Sequence, residues 1–334
     1  MFGSLQDQKN HIPRTGAENA SMRRAAKKTL PPPGRLPGRG SRRPRKGAHA
    51  DIVAKLGRSL IHHGPYNDRV FLYQLDQADL PGITDRLLAL AKDRGYSRIF
   101  ARVPAPARDH FVACGYTPGA RLPGLFRGKV DGYYMAKYLD APAGDAGEID
   151  EILSVARAKA HQGAASPVIE PGFTAVPVTS EDAPALASIY QEVFETYPVP
   201  IHDPDYLAEK MQGSLRCFCI REPGGRIASV ASAEVDAGGK FAEMTGFATL
   251  PDFRGHGFAG YLLRRMEGEM RSLGVRTAFA IARARSYPAN ITFARAGYTY
   301  AGTLADSVNI CGSLEDMNVW YRPLAGCGAA SSQG

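Results

Sequence analysis

The chain has 334 residues, enough for two domains of ordinary size, with 44% hydrophobic and 22% charged residues. This is the composition of a globular protein, and no apolar run reaches the roughly 18 residues of a membrane-spanning helix. The five cysteines show no C-x-x-C pair and no spacing typical of metal ligands, which predicts free thiols in a reducing compartment. We therefore expect a cytoplasmic protein that uses neither a membrane nor a metal.

The net charge of +8 comes from the first 50 residues. They hold twelve Lys or Arg against Asp7 and Glu18, a charge of +10, which leaves −2 for the rest of the chain. Because residues 1–50 also contain a run of three prolines and almost no large apolar residues, we predict a disordered basic tail. One interpretation is a tether for nucleic acid, and the other is an extension without function. We favour the extension and expect no nucleic-acid partner, because no aromatic residue stands among the charges to stack on bases.

Residues 51–140 have the pattern of a small α/β domain. Apolar periodicity and turn residues predict strand 69–75, helix 80–94, strand 98–103, a short helix through Phe111, and a hairpin of strands 121–126 and 132–139. Residues 141–147 are small, and residues 149–160 carry apolar side chains at helical spacing. We therefore assign 141–171 to a linker with a connecting helix.

Residues 172–323 predict a second, larger α/β domain, followed by a flexible C-terminal tail at 324–334. The predicted elements are strand 173–178, a helix from Thr179 to Tyr197 that Pro198 ends, strands 216–221, 227–235 and 241–250, helix 257–273, strand 277–282, helix 289–296 and strand 317–322. This order predicts a mixed central sheet with helices on both faces.

A short pattern occurs in both segments. Phe111-x-x-x-Gly115-Tyr116 follows a predicted strand and helix in the first segment, and Phe293-x-x-x-Gly297-Tyr298 does so in the second. The repetition suggests a shared architecture, although so short a match also arises by chance.

The strongest local signal lies between strand 241–250 and the helix that begins at Gly257. Residues 250–259 read Leu-Pro-Asp-Phe-Arg-Gly-His-Gly-Phe-Ala. Two glycines in a tight turn present successive N–H groups, and the helix behind adds its positive N-terminal end, so the turn suits a pyrophosphate. Arg254 adds a cation, whereas we expect His256 to contribute its backbone N–H rather than its ring. An ordinary connection between a strand and a helix is the alternative interpretation.

The R-x-x-G-x-A pattern of Arg254, Gly257 and Ala259, with the preceding strand and the Phe-x-x-x-Gly-Tyr element, resembles the GNAT superfamily of acyl-CoA-dependent N-acetyltransferases. The resemblance covers roughly residues 173–322 and implies a GNAT fold. It implies that the turn cradles the diphosphate of acetyl-CoA and that strand 243–250 aligns the thioester by main-chain bonds. The coenzyme-binding residues that it implies are Phe247, Ala248, Leu250, Arg254, Gly255, His256, Gly257, Phe258, Ala259, Asn290 and Phe293.

Five blocks of the chain resemble, in order, the β-lysine N-acetyltransferases: residues 62–75, 131–139, 196–206, 243–255 and 302–321. This resemblance implies a partial GNAT-like α/β domain in front of a complete GNAT domain. It also implies that acetyl-CoA acetylates the terminal (N6) amine of β-lysine, a small-molecule amine, to give Nε-acetyl-β-lysine, a compatible solute of osmoadaptation. A lysine 2,3-aminomutase would supply the substrate, and a homodimer is compatible with the resemblance.

The amine substrate requires a base, because an alkylammonium with a pKa near 10.4 must lose a proton before its nitrogen attacks a thioester. Glu243 is the predicted base, since several GNATs place a glutamate at the start of this strand, and Glu234 is the reserve. A solvated strand-end carboxylate is the alternative for Glu243. Many GNATs protonate the leaving thiolate with a Tyr at the position of Phe293, so Tyr298, Ser286 or water would take that role here.

The predicted substrate residues come from three places. Tyr197 lies in a proline-containing turn where GNATs often cover the substrate, and Thr245 follows the predicted base along the strand. Asn309, Glu315 and Asn318 belong to a polar run that either lines the amine pocket or forms an ordinary surface loop. An acetyltransferase for another diamine, polyamine or amino acid and a non-catalytic acyl-CoA-binding module remain the alternative functions.

Overall fold

Strands and helices alternate along most of the chain. The computed structural model describes residues 50–141, 146–160 and 168–324. The predicted basic tail, apart from Ala50, and the predicted C-terminal tail, apart from Leu324, lie outside the described residues. Within the described ranges, no helix has both the length and the apolar character needed to cross a membrane.

The N-terminal half follows the predicted order and adds two strands at its start. Its elements are β1 (Ile52–Leu56), β2 (Ser59–Gly64), β3 (Arg69–Gln74), α1 (Leu80–Arg94), β4 (Arg98–Pro104), α2 (Ala105–Ala113), β5 (Thr117–Phe126) and β6 (Val130–Tyr138). Helix α1 ends as predicted, because Gly95 adopts φ +65° and its N–H bonds to the carbonyls of Ala91 and Lys92. Strands β1 and β2 were not predicted.

The connecting helix α3 (Ala146–Ala160) precedes a C-terminal half with more elements. These are β7 (Thr174–Pro177), α4 (Ala183–Val193), α5 (Pro204–Gln212), β8 (Leu215–Arg221), β9 (Ile227–Asp236), β10 (Phe241–Thr249), α6 (Phe258–Ser272), β11 (Thr277–Arg283), α7 (Tyr287–Arg295), β12 (Thr299–Ile310) and β13 (Ser313–Pro323). Helix α6 buries Leu262, Met266 and Met270 on one face, whereas Leu273, which continues the same apolar spacing, caps the helix and is 49% exposed.

The thirteen strands found in the described residues form one sheet, ordered β1-β2-β3-β4-β6-β5-β12-β13-β11-β10-β9-β8-β7. This order is symmetric about the contact of β5 with β12, since β3-β4-β6-β5 corresponds to β10-β11-β13-β12. The pairs β3–β4 and β10–β11 are both parallel. Gly115 and Gly297, which end the two repeated motifs, have φ of +80° and +81°. The repeated sequence pattern therefore corresponds to a repeated architecture.

The two halves of the sheet meet at a single residue pair, Gly302 with Ala120. A Cβ atom on Gly302 would lie 2.0 Å from the Gly119 carbonyl oxygen, so only glycine fits there. On either side of this junction the inner faces pack on each other, with ring centroids of Tyr134 and Phe279 separated by 6.2 Å. The N-terminal half therefore covers one face of the C-terminal half of the sheet.

Helices cover the remaining faces. Helices α1 and α2 pack on the outer face of the N-terminal half. In the C-terminal half, α3, α6 and α7 pack on one face, whereas α4 and α5 pack on the other around the buried Cys217 and Cys219. The predicted mixed sheet with helices on both faces is confirmed.

One local prediction is wrong, and one of two open alternatives is excluded. The helix predicted to reach Tyr197 ends at Val193, and Phe194 is already extended. The apolar stripe continues past that end because Phe194 and Tyr197 pack on the same core without helical backbone. The polar run at 302–321 is no surface loop but the hairpin of β12 and β13, which turns at Cys311 and Gly312 with φ of +54° and +83°.

Candidate active site

Strands β10 and β11 are paired at only one end. Their parallel pairing stops at Glu243 and Phe279, although β10 continues to Thr249 and β11 to Arg283. Beyond that point the two strands diverge and leave a wedge-shaped cleft. Main-chain donors and acceptors on the facing edges of the cleft are available to an extended ligand, as they are when a peptide adds to a sheet edge.

A β-bulge on β10 lies at this cleft. Gly246 and Phe247 together oppose the single Ala231 of β9, because the register shifts between Thr245 and Ala248. Gly246 has φ +62°, and a Cβ atom there would lie 2.5 Å from the Ser232 hydroxyl oxygen. Glycine is therefore required for the bulge, which bends β10 as it passes the cleft.

The turn after β10 leads into the N-terminus of α6. Gly255 and Gly257 have φ of +92° and +73°, and no atom lies within 4 Å of a Cβ built on either residue or on Gly260. The first helical hydrogen bond runs from the Tyr261 N–H to the Gly257 carbonyl, and no side chain caps the helix. The N–H groups of the first turn of α6 therefore face open space at the positive end of the helix, as an anion site requires.

The side chains of this turn point in different directions. Arg254 is exposed and donates to the Thr249 carbonyl at 3.4 Å. The His256 ring is 3.0 Å from a carboxylate oxygen of Glu170 and stacks on Phe258, so the ring already has partners. This geometry agrees with the expectation that His256 contributes its backbone rather than its ring.

Of the other predicted coenzyme residues, some lie at the cleft and some lie in the hydrophobic core. Phe247 and Phe293 make an edge-to-face contact with ring centroids 5.6 Å apart, which joins β10 to α7. Ala248 and Leu250 are buried against α4 and α5, and Phe258 is buried under α6. Only the main chain of these last three residues is available to a ligand.

Glu243 and Glu234 face each other across β10 and β9. Directly opposed side chains on antiparallel strands have Cβ atoms about 5 Å apart, so two carboxylates there repel each other. Burial and the charge of Glu234 raise the pKa of Glu243 to about 7, against smaller opposing effects of Arg102 and Arg69. Glu234 is partly neutralised, because the Lys210 Nζ lies 3.7 Å from its carboxylate. Glu243 thus has the pKa of a general base for neutral pH.

The predicted substrate residues Tyr197 and Thr245 lie next to this pair of glutamates. The Tyr197 hydroxyl is 3.2 Å from the Thr245 hydroxyl, and Thr245 lies on the same face of β10 as Glu243, two residues further on. The Glu243 charge acts on Tyr197, and burial is the main effect that raises the pKa of this tyrosine. Sequence reasoning therefore placed four residues, Glu234, Glu243, Tyr197 and Thr245, in one site.

The N-terminal half adds side chains that sequence reasoning missed. Arg102 of β4 lies over the rings of Tyr73 and Phe241, with its Cζ 4.3 and 4.9 Å from the centroids. His62 of β2 stacks on Tyr73 at 4.6 Å, and burial, together with Arg69, lowers its pKa to about 4, so it is neutral at pH 7. Tyr73 and Arg102 on the two predicted strands were the available signal, but no role in the site was assigned to either strand.

The chain is similar to several known proteins. Residues 185–298 match the model of the Acetyltransferase (GNAT) family. The chain is 32% identical to the β-lysine N6-acetyltransferase of Methanococcus maripaludis over 273 residues, which cover 81% of this chain and 98% of that protein. A β-lysine N6-acetyltransferase of Methanosarcina mazei is 37% identical over 46% of this chain and 56% of its own length. The N-acetyltransferase YodP of Bacillus subtilis is 29% identical over 80% of this chain and 96% of that protein.

This chain belongs to the β-lysine N6-acetyltransferase family. It is therefore an N-acetyltransferase with a GNAT fold, as the sequence motifs predicted. GNAT enzymes take acetyl-CoA as co-substrate, and the cleft with its glycine turn is the part of the chain whose open main chain fits a diphosphate and an extended arm.

Asn290 holds the other wall of the cleft in this acetyltransferase. Its side chain is fully buried and donates to the carbonyls of Arg283, Ala284 and Ser286. Its Oδ1 accepts from Asn318 Nδ2 at 3.0 Å and from Trp320 Nε1 at 2.9 Å. These bonds use the full capacity of the amide. The structure thus joins Asn290 and Asn318 to each other and fixes the end of β11 through them.

The polar run on β12 and β13 joins the two halves of the acetyltransferase. Asn309 donates twice across the junction, since its backbone N–H bonds to Asn67 Oδ1 at 2.7 Å and its side-chain Nδ2 bonds to the Tyr66 carbonyl at 3.3 Å. The predicted substrate residue Asn309 therefore lies at this junction. Glu315 accepts from Arg283 Nη2 at 3.1 Å and from Ser313 at 2.7 Å. None of these contacts brings Asn309 or Glu315 to Glu243.

Tyr298 lies apart from the two glutamates. It packs in the core under α6, on the face of the sheet opposite to Glu243, and beside the pair of Glu267 with Arg322 at 3.0 Å. Burial, then the Glu267 charge, raises the pKa of Tyr298 well above its usual range. The structure does not bring this predicted acid together with the predicted base.

The N-terminal half of the acetyltransferase lacks a turn like that at Gly257. The corresponding turn between β3 and α1 has no glycine, and Asp79 stands at the helix start. The Asp79 carboxylate accepts from the backbone and hydroxyl of Ser59, at 2.8 Å each, and from Arg86 at 3.0 Å. Hydrogen bonds from Arg86 and Ser59 lower the pKa of Asp79 to about 2. A buried carboxylate occupies the place where a diphosphate would need N–H donors.

A separate cavity of about 290 Å³ lies between β8, α5 and α6, lined in part by Met211, Cys217 and Arg265. None of the described residues of β10 or β11 lines it. We therefore do not assign this cavity to acetyl transfer.

Proposed function

We propose that the enzyme transfers the acetyl group of acetyl-CoA to the terminal amine of β-lysine and so produces Nε-acetyl-β-lysine. The observation that carries this proposal is the likeness to an archaeal β-lysine N6-acetyltransferase along 98% of that protein. The facing Glu243 and Glu234 support it, because a diamine substrate brings two ammonium groups that require carboxylates.

In this proposal the turn after β10 binds the diphosphate of acetyl-CoA. The N–H groups of Gly255, Gly257 and the first turn of α6 donate to it, and Arg254 adds a charge-assisted contact. The cleft edge of β10 around Phe247 and Ala248 bonds to the pantetheine arm. Asn290 acts as a positioning residue for the end of β11, which forms the opposite wall of the cleft. It does not bind the coenzyme with its side chain, because the hydrogen bonds of that side chain are already satisfied within the protein.

Glu243 serves as the base. With a pKa of about 7, its carboxylate is largely ionised just above neutral pH and accepts a proton from the terminal ammonium. The neutral nitrogen then forms the bond to the thioester carbonyl carbon while the bond to sulfur breaks, and the nitrogen loses its second proton to water. Glu234, opposite Glu243, binds the second ammonium of the substrate, and Tyr197 and Thr245 close the site beside the reacting nitrogen.

The thiolate that leaves takes its proton from water, or from Glu243 after that residue has accepted one. We do not assign the step to Tyr298, because this hydroxyl lies by Glu267 on the other face of the sheet. Direct transfer within a ternary complex is the expected course.

The same proposal places the enzyme in the cytoplasm, where its product acts as a compatible solute in osmoadaptation and a lysine 2,3-aminomutase supplies its substrate. We also propose that residues 51–140 and 172–323 are two GNAT-like domains that function together, as a monomer or a homodimer.

A substrate panel tests the proposal. The purified full-length chain is incubated with acetyl-CoA and one of β-lysine, lysine, ornithine or spermidine, and both free thiol and acetylated product are measured. We expect turnover of β-lysine at the highest kcat/KM, with acetylation at N6 by mass spectrometry. Turnover of spermidine or lysine without β-lysine would assign the enzyme to another amine, and acetyl-CoA binding without any turnover would indicate a binding module.

A further inference from the structure

A buried guanidinium lies between the two halves of the protein without a carboxylate partner. Arg102 is 4% exposed, and its Cζ lies 4.3 Å from the centroid of Tyr73 and 4.9 Å from that of Phe241. No carboxylate oxygen of the described residues lies within the 4.0 Å of an ion pair with Arg102. Burying a charge without an opposite charge is costly, so this position suits an anion that a ligand brings.

Arg102 lies beside the site of acetyl transfer. Phe241, which it covers, and Glu243 point to the same face of β10 and are two residues apart, a separation of about 7 Å. The cleft and Thr245 lie on the other side of Glu243. A substrate whose nitrogen reaches the cleft past Glu243 therefore has its far end at Arg102.

The other cations that face this space already have partners or carry no charge. Arg69 pairs with Asp51 at 3.2 Å and also donates to the Ser307 carbonyl. Lys210 is 3.7 Å from Glu234. His62 is neutral at pH 7, since burial lowers its pKa to about 4. Among these groups, Arg102 is the charged cation that forms no ion pair with a carboxylate of the described residues, and the Glu243 charge acts on it only from beyond ion-pair distance.

We propose that Arg102 binds the carboxylate of the diamino-acid substrate, so that the N-terminal half completes the amine pocket. This proposal rests on the proposed function. In β-lysine, six bonds separate the carboxyl carbon from the terminal nitrogen, and the extended span is about 7 Å. This span equals the separation between the positions of Phe241 and Glu243 along β10, so one substrate molecule reaches both Arg102 and the base.

The chemistry of the pocket then matches the substrate group by group. The guanidinium lies over two rings and hydrogen-bonds to the Tyr134 and Tyr73 hydroxyls, which carry no charge at neutral pH. Its remaining N–H groups, of the five that an arginine has, are the donors for a substrate carboxylate. Glu234, opposite Glu243 on β9, takes the second ammonium. Tyr73 provides an apolar wall for the methylene chain between them. The pocket thus favours amino acids over polyamines, which have no carboxylate.

Two probes separate these contacts. The compound 6-aminohexanoate keeps the carboxylate and terminal amine of β-lysine and lacks the second amine, whereas 1,4-diaminopentane keeps both amines and lacks the carboxylate. Acetylation of β-lysine and of each probe is measured for the wild-type chain, Arg102→Met and Arg102→Lys. Arg108→Met is the matched control, because Arg108 also covers a ring, Tyr133 at 5.6 Å, but is 41% exposed.

We expect Arg102→Met to lower kcat/KM for β-lysine and 6-aminohexanoate by about 100-fold or more, the usual effect of removing one partner of a buried charge pair. Measured at about pH 9, where Glu243 is ionised with or without Arg102, its kcat/KM for 1,4-diaminopentane should stay within about threefold. Arg102→Lys should fall between, since a lysine cannot bind bidentately. A similar loss for all three amines would overturn the proposal, because Arg102 would then act on Glu243 or on the fold.

Failure of the proposed function is a distinct result. If the wild-type chain acetylates none of the three amines, equilibrium binding of 6-aminohexanoate and 1,4-diaminopentane is measured by calorimetry in the presence of CoA. Binding of 6-aminohexanoate that Arg102→Met abolishes supports the carboxylate contact even then, and binding that is unchanged refutes it. Thermal unfolding of each variant identifies any loss of fold. If Arg102→Met does not fold, the proposal is judged by the Arg102→Lys result and by whether the wild-type chain prefers 6-aminohexanoate to 1,4-diaminopentane.

Discussion

Replacing Glu243 with glutamine should change activity and stability in opposite directions. The glutamine keeps the shape of the side chain but cannot accept a proton, so we expect kcat to fall by about 10²- to 10⁴-fold, the usual contribution of a general base. The wild-type kcat/KM should rise about tenfold per pH unit below pH 7 and level off above it, because the pKa of Glu243 is about 7. In Glu243→Gln this limb should be absent.

The stability effect follows from the same pKa. Burial raises the pKa of Glu243 from 4.5 to about 7, so the folded protein holds a proton here that the unfolded chain releases between these values. The favourable contribution of the protonated side chain is complete below pH 4.5 and is lost as the pH rises through 7. A shift of about 2.5 pKa units corresponds to about 3 kcal/mol, an upper value since the residue is partly exposed. Glu243→Gln should therefore be more stable than wild type at pH 8, by up to that amount, and equally stable at pH 4.

Denaturant unfolding at pH 4 and pH 8, with parallel acetyl-transfer assays, checks both effects. Glu269→Gln on α6 is the control, because that glutamate is exposed on the helix surface. A variant with wild-type activity would show that Glu243 is not the base. A variant that loses activity but has the wild-type dependence of stability on pH would show that Glu243 is solvated, and that its raised pKa is not the reason for its role.

Three further substitutions test other parts of the site. Gly257→Val should weaken acetyl-CoA binding by at least tenfold, measured by calorimetry, because φ is +73° there. Gly268→Ala in the same helix should leave binding unchanged and raise the free energy of unfolding by about 0.5–1 kcal/mol. Glu234→Gln should shift the acidic limb of kcat/KM to lower pH, because the Glu234 charge raises the pKa of Glu243. Asn290→Leu should lower the free energy of unfolding by about 3 kcal/mol, since it leaves the Trp320 N–H and other buried groups without partners.

Local signals predicted the glycine turn at the start of α6 and the strand that precedes it. The glycine turn before α6 depends on two φ angles and a helix start, all encoded within ten residues, and Glu243 and Thr245 follow from their positions on one strand. Family resemblance supplied the link from this turn to acetyl-CoA. Strand 317–322 was predicted and lies within β13, whereas β12 was not predicted, because its bulge, with Asp306 at φ +45°, interrupts the alternation that identifies a strand.

The pocket face of the N-terminal half could not be predicted in the same way. Arg102, Tyr73 and His62 reach Glu243 only because the sheet folds over at the single pair of Gly302 and Ala120, far away in sequence. No local pattern encodes that contact. A buried arginine on a strand also looks like an ordinary edge residue until its neighbours are known.

The symmetry of the sheet allows the roles of the two halves of the protein to be compared. Both halves have a parallel strand pair, a hairpin and a short helix that ends in glycine, so the same architecture was available for two coenzyme sites. One turn has open N–H groups at Gly257, and the other has the buried carboxylate of Asp79, which repels a diphosphate. The half whose turn carries Asp79 lies on the face that bears Glu243, and there its strands place Arg102 and Tyr73. Loss of one coenzyme turn is therefore consistent with a change of role for that half, from a second catalytic unit to the wall that selects the amine.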